Sequence, residues 1–181
     1  MSVEGTPEFS RVERLDAIGS EPREVMISAR EAERTALAER FGLLAVERLE
    51  GRFTVRQEAA GVAVRGRVTA TVTQACSVTG DPIPAQIDEG VELRFVHPQG
   101  AHAGDEEEHE LAGEEIDTVE IKGGGIDLGE TAAETMVLAL DPFPRSPRAA
   151  EVLREAGVIT EEEARPASPF AALKAKLEGG A

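Results

Sequence analysis

Val62-Ala63-Val64-Arg65-Gly66-Arg67-Val68-Thr69-Ala70-Thr71-Val72-Thr73 alternates apolar residues with arginines and threonines. A period of two puts Val62, Val64, Val68, Ala70 and Val72 on one face of a strand and Arg65, Arg67, Thr69, Thr71 and Thr73 on the other. One apolar and one polar face indicate an antiparallel sheet that buries one side and wets the other.

The same period runs from Leu43 to Val96. Upstream, Leu49, Phe53 and Val55 alternate with Arg48, Glu50, Arg52, Thr54 and Arg56, and Glu58-Ala59-Ala60-Gly61 connects to the quoted strand. Downstream, Thr79-Gly80-Asp81-Pro82 has turn composition. Ile83, Ala85, Ile87, Val91, Leu93 and Phe95 then oppose Gln86, Asp88, Glu92 and Arg94. The expectation is an α+β fold built on an antiparallel β-meander, a sheet able to curl toward a barrel, with a few packed helices and a C-terminal helical tail.

Flanking segments supply the rest. Phe9 to Leu15 and Arg23 to Ile27 read as edge strands about a turn at Gly19. Ser28 and Glu31 have capping-box spacing, so a helix is expected from Ser28 to a stop at Gly42, burying Ala32, Ala36 and Leu37. Val119 to Ile121 reads as a short strand. Asp127 and Glu130 form a second capping box, opening a helix in which Leu128, Ala132, Met136 and Leu140 recur every four residues beside Ala133 and Val137. Pro142 and Pro144 end it at about Leu140. Nothing on that helix suggests catalysis. Two small helices are expected in the tail, Pro147 to Ala156 and one starting at Ser168-Pro169-Phe170 with Leu173 and Leu177 on its apolar side. The domain division expected is 1–145, with an acidic loop at about 98–115, followed by a helical tail over 146–181.

Composition limits the function. The chain has 181 residues, no Trp or Tyr, and a formal net charge of −16. Residues 1–94 hold 12 Arg and Lys against 16 Asp and Glu, while residues 95–181 hold 7 against 19. That balance opposes non-specific attraction to phosphate backbones, and DNA is not an expected partner. The single Cys76 excludes an internal disulfide and suits a reducing compartment. No apolar run approaches the ~20 residues of a membrane span, and the amino-terminal residues lack the pattern of a signal peptide. The expected location is the cytoplasm, with no membrane partner.

Three separated pieces then fall in one order: Val68-Thr69-Ala70-Thr71-Val72-Thr73-Gln74-Ala75-Cys76, the stretch from Gly125 to Pro144, and Ser168-Pro169-Phe170-Ala171-Ala172-Leu173-Lys174. Together they resemble the YceD family of large-subunit ribosomal RNA accumulation proteins of bacteria and plastids. The signature positions are Cys76, Ile126, Asp127, Leu128, Leu140, Pro142, Pro169 and Phe170. The resemblance implies a non-enzymatic bacterial factor in ribosome biogenesis, acting on accumulation or processing of that RNA. Its partner would be a pre-ribosomal particle, met through the RNA or a basic ribosomal protein, and no cofactor is implied. Many members carry Cys-x-x-Cys where this chain has Cys76-Ser77-Val78-Thr79. One thiolate cannot build a structural zinc site, which takes four N or S ligands. The parity of Cys76 with Val72 makes a buried, inert thiol the expectation.

Candidate contacts follow from the polar face. Hairpin residue sums near 119 and 161 would set Arg52 opposite Arg67 and Arg67 opposite Arg94, with Arg48, Arg56 and Arg65 nearby. Like charges directly opposite are unfavourable, and a phosphate backbone would explain such a row, since arginine offers paired donors to phosphate oxygens. The plainer alternative is a surface neutralised by Glu50 and Glu92, and no aromatic interleaves the row for base stacking. The acidic run of Asp105, Glu106, Glu107, Glu108 and Glu110 reads either as a contact for a basic partner or as a solubilising loop. His97, His102 and His109 match no metal-binding spacing, and no metal is expected. The chain has no nucleophile elbow and no phosphate loop, and Gly123-Gly124-Gly125 reads as a joint, so an enzyme is not expected. A protein-only adaptor for a basic partner is the competing class.

Overall fold

A computed structural model describes residues 7–97, 117–121 and 123–158. The alternating region forms three long strands, β3 (Ala45–Glu58), β4 (Gly61–Ala75) and β5 (Pro82–Val96). Earlier in the chain come β1 (Val12–Arg14), a 3-10 turn (Leu15–Ala17), β2 (Arg23–Ser28) and helix α1 (Glu31–Phe41). Later come β6 (Asp117–Glu120), β7 (Gly125–Asp127), α2 (Leu128–Leu138) and α3 (Ala149–Glu155). The architecture is α+β, with a five-stranded sheet ordered β2-β3-β4-β5-β6 and a two-stranded sheet β1-β7.

The large sheet is open. It ends at β2 and β6 rather than closing toward a barrel, and β6 runs parallel to β5 while every other pair is antiparallel. The expected strands at Phe9 to Leu15 and Arg23 to Ile27 both exist in shortened or extended form, but in different sheets. β1 pairs with β7, a strand absent from the sequence expectation, and β2 pairs with β3.

The β3–β4 register is the expected one, with Arg52 opposite Arg67 and Val55 opposite Val64. One irregularity, between Val46 and Arg48, lets Glu47 bulge. The β4–β5 register differs by four in residue sum. The Cys76 amide donates to the Asp81 carbonyl and the Gly80 amide to the Cys76 carbonyl, so the reversal occupies Cys76–Asp81 and strand pairing resumes at Ala75 with Pro82. The corner is centred two residues earlier than Thr79–Pro82, the turn expected from composition. Arg67 therefore faces Gly90, and Arg94 faces Ala63. Pro82 and Pro84 fit the strand because β6 pairs only with Leu93–Val96, leaving that edge of β5 without a described partner.

Apolar parity builds the core. Phe53, Val55, Val62, Val64, Val68 and Val72 are fully buried beneath the helices, with Leu37 of α1 and Leu128, Ala132, Ala133 and Met136 of α2. α1 begins later than expected. Ser28 still belongs to β2, opposite Glu50, and Arg30 is the N-cap residue, its amide bonded by the Glu33 carboxylate at 2.7 Å. Consequently Ala32 lies on the exposed side and Leu37 is the one buried residue of that helix. Gly42 ends it in the left-handed conformation, φ 64°, which glycine adopts without strain.

Asp127 caps α2 as expected. Its Oδ1 accepts from the amides of Gly129 (2.9 Å) and Glu130 (3.2 Å). The same carboxylate takes the Arg11 amide at 2.7 Å and the Ser10 hydroxyl at 2.6 Å, fastening the amino-terminal strand to the helix. Glu130 reaches across to Arg40 of α1 at 2.6 Å. Arg40 also holds Glu8 at 2.9 Å, so both helices and the amino-terminal segment meet at one guanidinium. The second tail helix, with Pro169 and Phe170, lies outside the described residues, as does the acidic run 105–110.

Candidate functional site

Strand alternation carries Arg48, Arg52 and Arg56 from β3, Arg65 and Arg67 from β4, and Arg94 from β5 to the outer face of the sheet. They do not form a bare basic row. Arg48 meets Glu50 at 2.5 Å, Arg65 meets Glu92 at 2.7 Å, and Arg67 meets Asp88 at 2.6 Å. Arg56 pairs with Glu58, whose other oxygen lies 3.7 Å from Arg94. These contacts hold the Glu50 and Glu58 carboxyls below the usual carboxylate range, through the hydrogen bonds from Arg48 and Arg56. The Arg67 guanidinium is shifted upward by its hydrogen bond to Asp88. Arg94 is the least available of the set, half-buried with its Nε shielded and unbonded among the described residues.

Arg52 differs from its neighbours. Among the described residues no carboxylate and no hydrogen bond holds it. It lies in the cross-strand row Met26–Arg52–Arg67–Gly90. Met26 at one end is 71% exposed, and Gly90 at the other has no atom within 4 Å of where a Cβ would stand. Beside the row lies a concavity of about 480 Å³ whose walls include Met26, Arg48, Arg52, Arg67 and Thr69, with Gly51 contributing no side chain. Three cationic forks, together with the Glu50 carboxylate that pairs with Arg48, thus line one hollow with an apolar wall. Sequence reasoning missed Met26, although Glu24, Met26 and Ser28 alternate with the inward-facing Val25 and Ile27.

The second candidate is the Cys76 turn. Cys76 is buried, and its sulfur accepts from the Ser146 amide at 3.2 Å and the Thr79 amide at 3.4 Å. Burial pushes the thiol up. The amides of Ser146, Thr79 and Val78 and the Thr79 hydroxyl outweigh burial and bring it down to about 6. The expectation of a buried thiol holds for its position, but its surroundings favour the thiolate. Thr79 stands where a second cysteine would be, with its hydroxyl 3.2 Å from that of Ser146. Ser146 donates in turn to Asp81 at 3.1 Å, and Arg148 approaches the other Asp81 oxygen at 3.4 Å. This network pins the segment before α3 to the β4–β5 turn, as do the Ser77 amide on the Pro144 carbonyl and the Gln74 amide on the Asp141 carbonyl.

Four of the signature positions thus have structural work: Ile126 and Leu128 in the core, Asp127 at the cap, and Cys76 in the turn. A profile of the family described as "Large ribosomal RNA subunit accumulation protein YceD" matches residues 64–176, more than half the chain.

The chain belongs to the YceD family. Neither a curated protein nor a solved structure matches it. The YceD match starts within β4 and takes in β5, α2 and α3, so it includes the Cys76 turn and the capped helix, while Arg48 and Arg52 lie upstream of it. Membership connects the chain to accumulation of large-subunit ribosomal RNA. No helix among the described residues is long and apolar enough to cross a membrane.

Proposed function

We propose that this YceD protein is a non-enzymatic, cytoplasmic ribosome-biogenesis factor that contacts pre-ribosomal RNA through the outer face of its sheet, at the hollow around Arg52. The observation that carries this is the position of Arg52, a guanidinium without a carboxylate partner among the described residues, directly opposite a second arginine. Exposed ion pairs such as Arg48–Glu50 and Arg67–Asp88 contribute little, because water screens them and two long side chains must be held in one geometry. A phosphate can therefore draw both neighbouring arginines from their carboxylates at little cost, and three planar forks can hold its oxygens in pairs. The exposed Met26 beside them suits a ribose or base face. Arg56, Arg65 and Arg94, tied into pairs further along the sheet, extend the face without the same opening.

A second reading has its own support. The carboxylates threaded through the arginines leave the outer face nearly balanced, and the chain as a whole is strongly acidic. Those features suit a protein-only adaptor whose Asp105, Glu106, Glu107, Glu108 and Glu110 take a basic ribosomal protein. Replacing Arg52 and Arg67 together by glutamate separates the readings. Loss of association with immature large-subunit particles, in a variant that still folds, supports the RNA-facing sheet. Retained association, coupled with loss on deleting residues 105–115, supports the adaptor.

A further inference from the structure

The segment joining α2 to α3 is anchored at three points. The Asp141 carbonyl accepts from the Gln74 side-chain amide at 2.9 Å, and the Pro144 carbonyl from the Ser77 amide at 2.8 Å. The Ser146 amide donates to the Cys76 sulfur at 3.2 Å. Between the first two anchors the Phe143 amide donates to Asp141 Oδ1 at 2.9 Å, closing a tight turn. Pro142, Pro144 and Pro147 each fix their own φ. A loop restrained in this way keeps its shape, and the side chains it holds outward stay outward.

Those side chains are Phe143 and Arg145. Phe143 is 71% exposed, whereas Phe9, Phe53 and Phe95 are buried and Phe41 is half-buried. Arg11 and Arg40 lie over the rings of Phe9 and Phe41, while among the described residues no cation covers Phe143. Arg145 is exposed, with no hydrogen bond or ion pair among the described residues. Arg148, also exposed, approaches one oxygen of Asp81 at 3.4 Å. Water screens a contact of that kind, so the guanidinium turns to another anion at little cost. Residues 142–150 hold these two arginines and no acid, in a chain of net charge −16. Asp141 and Glu151 bound the stretch, and one Asp141 oxygen is committed to the Phe143 amide.

We propose that the loop over residues 143–148 binds single-stranded RNA, with one base stacked on Phe143 and the adjoining phosphate held by Arg145 and Arg148. Stacking needs an aromatic face that nothing else covers, and phosphate needs a cation without a carboxylate; Phe143 and Arg145 supply both two residues apart, at most about 7 Å along the chain. The preset loop shape spares the ordering cost that a flexible segment meets on binding. The contact is separate from the hollow at Arg52: β4 runs a further eight residues from Arg67 to Ala75, about 26 Å, before reaching the turn that anchors the loop. It shares with the proposed function only the premise that the chain meets RNA.

The test is titration of the full-length chain with a 12-nucleotide single-stranded RNA of mixed sequence, read by fluorescence anisotropy of the labelled RNA. Phe143→Ala should weaken binding at least fivefold. Phe143→Leu, which keeps apolar bulk and loses the π face, should weaken it nearly as much. Arg145→Gln should weaken it too and lower the slope of log affinity against log salt by about 0.7. The same RNA annealed to its complement should bind less well, its bases being already stacked. Both residues are exposed, and unchanged thermal midpoints would show that the variants fold. Because the chain has no Trp, Phe143→Trp places a single reporter at the site; acrylamide should quench its emission freely, and RNA should quench it by stacking. Affinity indifferent to Phe143→Ala, or retained in Phe143→Leu, would overturn the proposal. So would a reporter shielded from acrylamide before RNA is added, because residues 159–181 or a second copy would then cover the ring. Emission unmoved by RNA but shifted by stripped ribosomal proteins would assign the loop to a protein partner instead. Arg52→Glu with Arg67→Glu separates the two contacts: affinity lost there and unaffected at Phe143 rejects the loop and leaves the sheet, and the converse rejects the sheet and leaves the loop.

Discussion

Arg52 lies directly opposite Arg67 across the β3–β4 ladder, and of the two it is Arg67 that holds a carboxylate, Asp88 at 2.6 Å. Two like charges at one cross-strand position are kept at some cost to the fold. Arg52→Ala should therefore stabilise the protein by up to about 1 kcal/mol while weakening its association with RNA. Urea unfolding gives the first quantity and filter binding to a large-subunit ribosomal RNA fragment the second. A variant that loses stability would mean that Arg52 serves packing.

Asp127 joins four donors at one carboxylate: the Ser10 hydroxyl and the amides of Arg11, Gly129 and Glu130. A lost N-cap costs about 1 kcal/mol, and hydrogen bonds to a charged group contribute about 1.5–3 kcal/mol. Asp127→Ala is expected to lose about 2–4 kcal/mol in urea unfolding. Asp127→Asn, which keeps an acceptor oxygen, should lose less.

Phe53 lies across the space where Gly51 and Gly66 have no side chain. A Cβ on Gly66 would stand 2.2 Å from the Arg52 carbonyl oxygen and 2.8 Å from the Phe53 ring. Gly66→Ala should cost about 1–3 kcal/mol by overpacking, and the thermal midpoint should fall accordingly. In the variant with Phe53→Leu added, the alanine penalty should shrink, because part of the clash is with the ring.

Cys76 titrates near 6 in the folded chain, well below its ordinary value of 9.0. Between those two values the unfolded chain holds the proton that the folded chain has released, so stability rises with pH across the window. The contribution is complete above 9 and disappears as pH falls through 6. Urea midpoints should rise with pH over that range in the native chain, and Cys76→Ser should flatten the slope. With no Trp or Tyr in the chain, thiolate absorbance near 240 nm gives the midpoint independently.

The long strands were legible because their pattern and their connection agree. Period-two alternation places Arg48, Arg52, Arg65 and Arg67 outward, and the Ala59-Ala60 connection sets the β3–β4 register. The six-residue reversal at Cys76–Asp81 leaves the β4–β5 register open to several positions, which is why Arg94 faces Ala63 and not the expected Arg67. Ser28 has a good capping side chain, yet pairing with β3 takes it into β2 and leaves the cap to Arg30, an instance of tertiary pairing overriding a local signal. β1 and β7 are three residues each, too short for any periodicity, and are brought together by contacts such as Arg11 to Asp127. At the site, strand parity predicted a buried Cys76, but its partner Ser146 is 70 residues away and no local pattern announces it.

The measurement that bears most directly on the proposed function is sedimentation of tagged native and Arg52→Glu/Arg67→Glu proteins through gradients of cell lysate, with crosslinking to identify bound RNA. The native chain should travel with immature large-subunit particles and crosslink to RNA through the sheet around Arg52. The double variant, folded by circular dichroism, should remain at the top of the gradient. Equal co-sedimentation of the two proteins, or a native chain that crosslinks only to protein, would contradict an RNA-facing sheet.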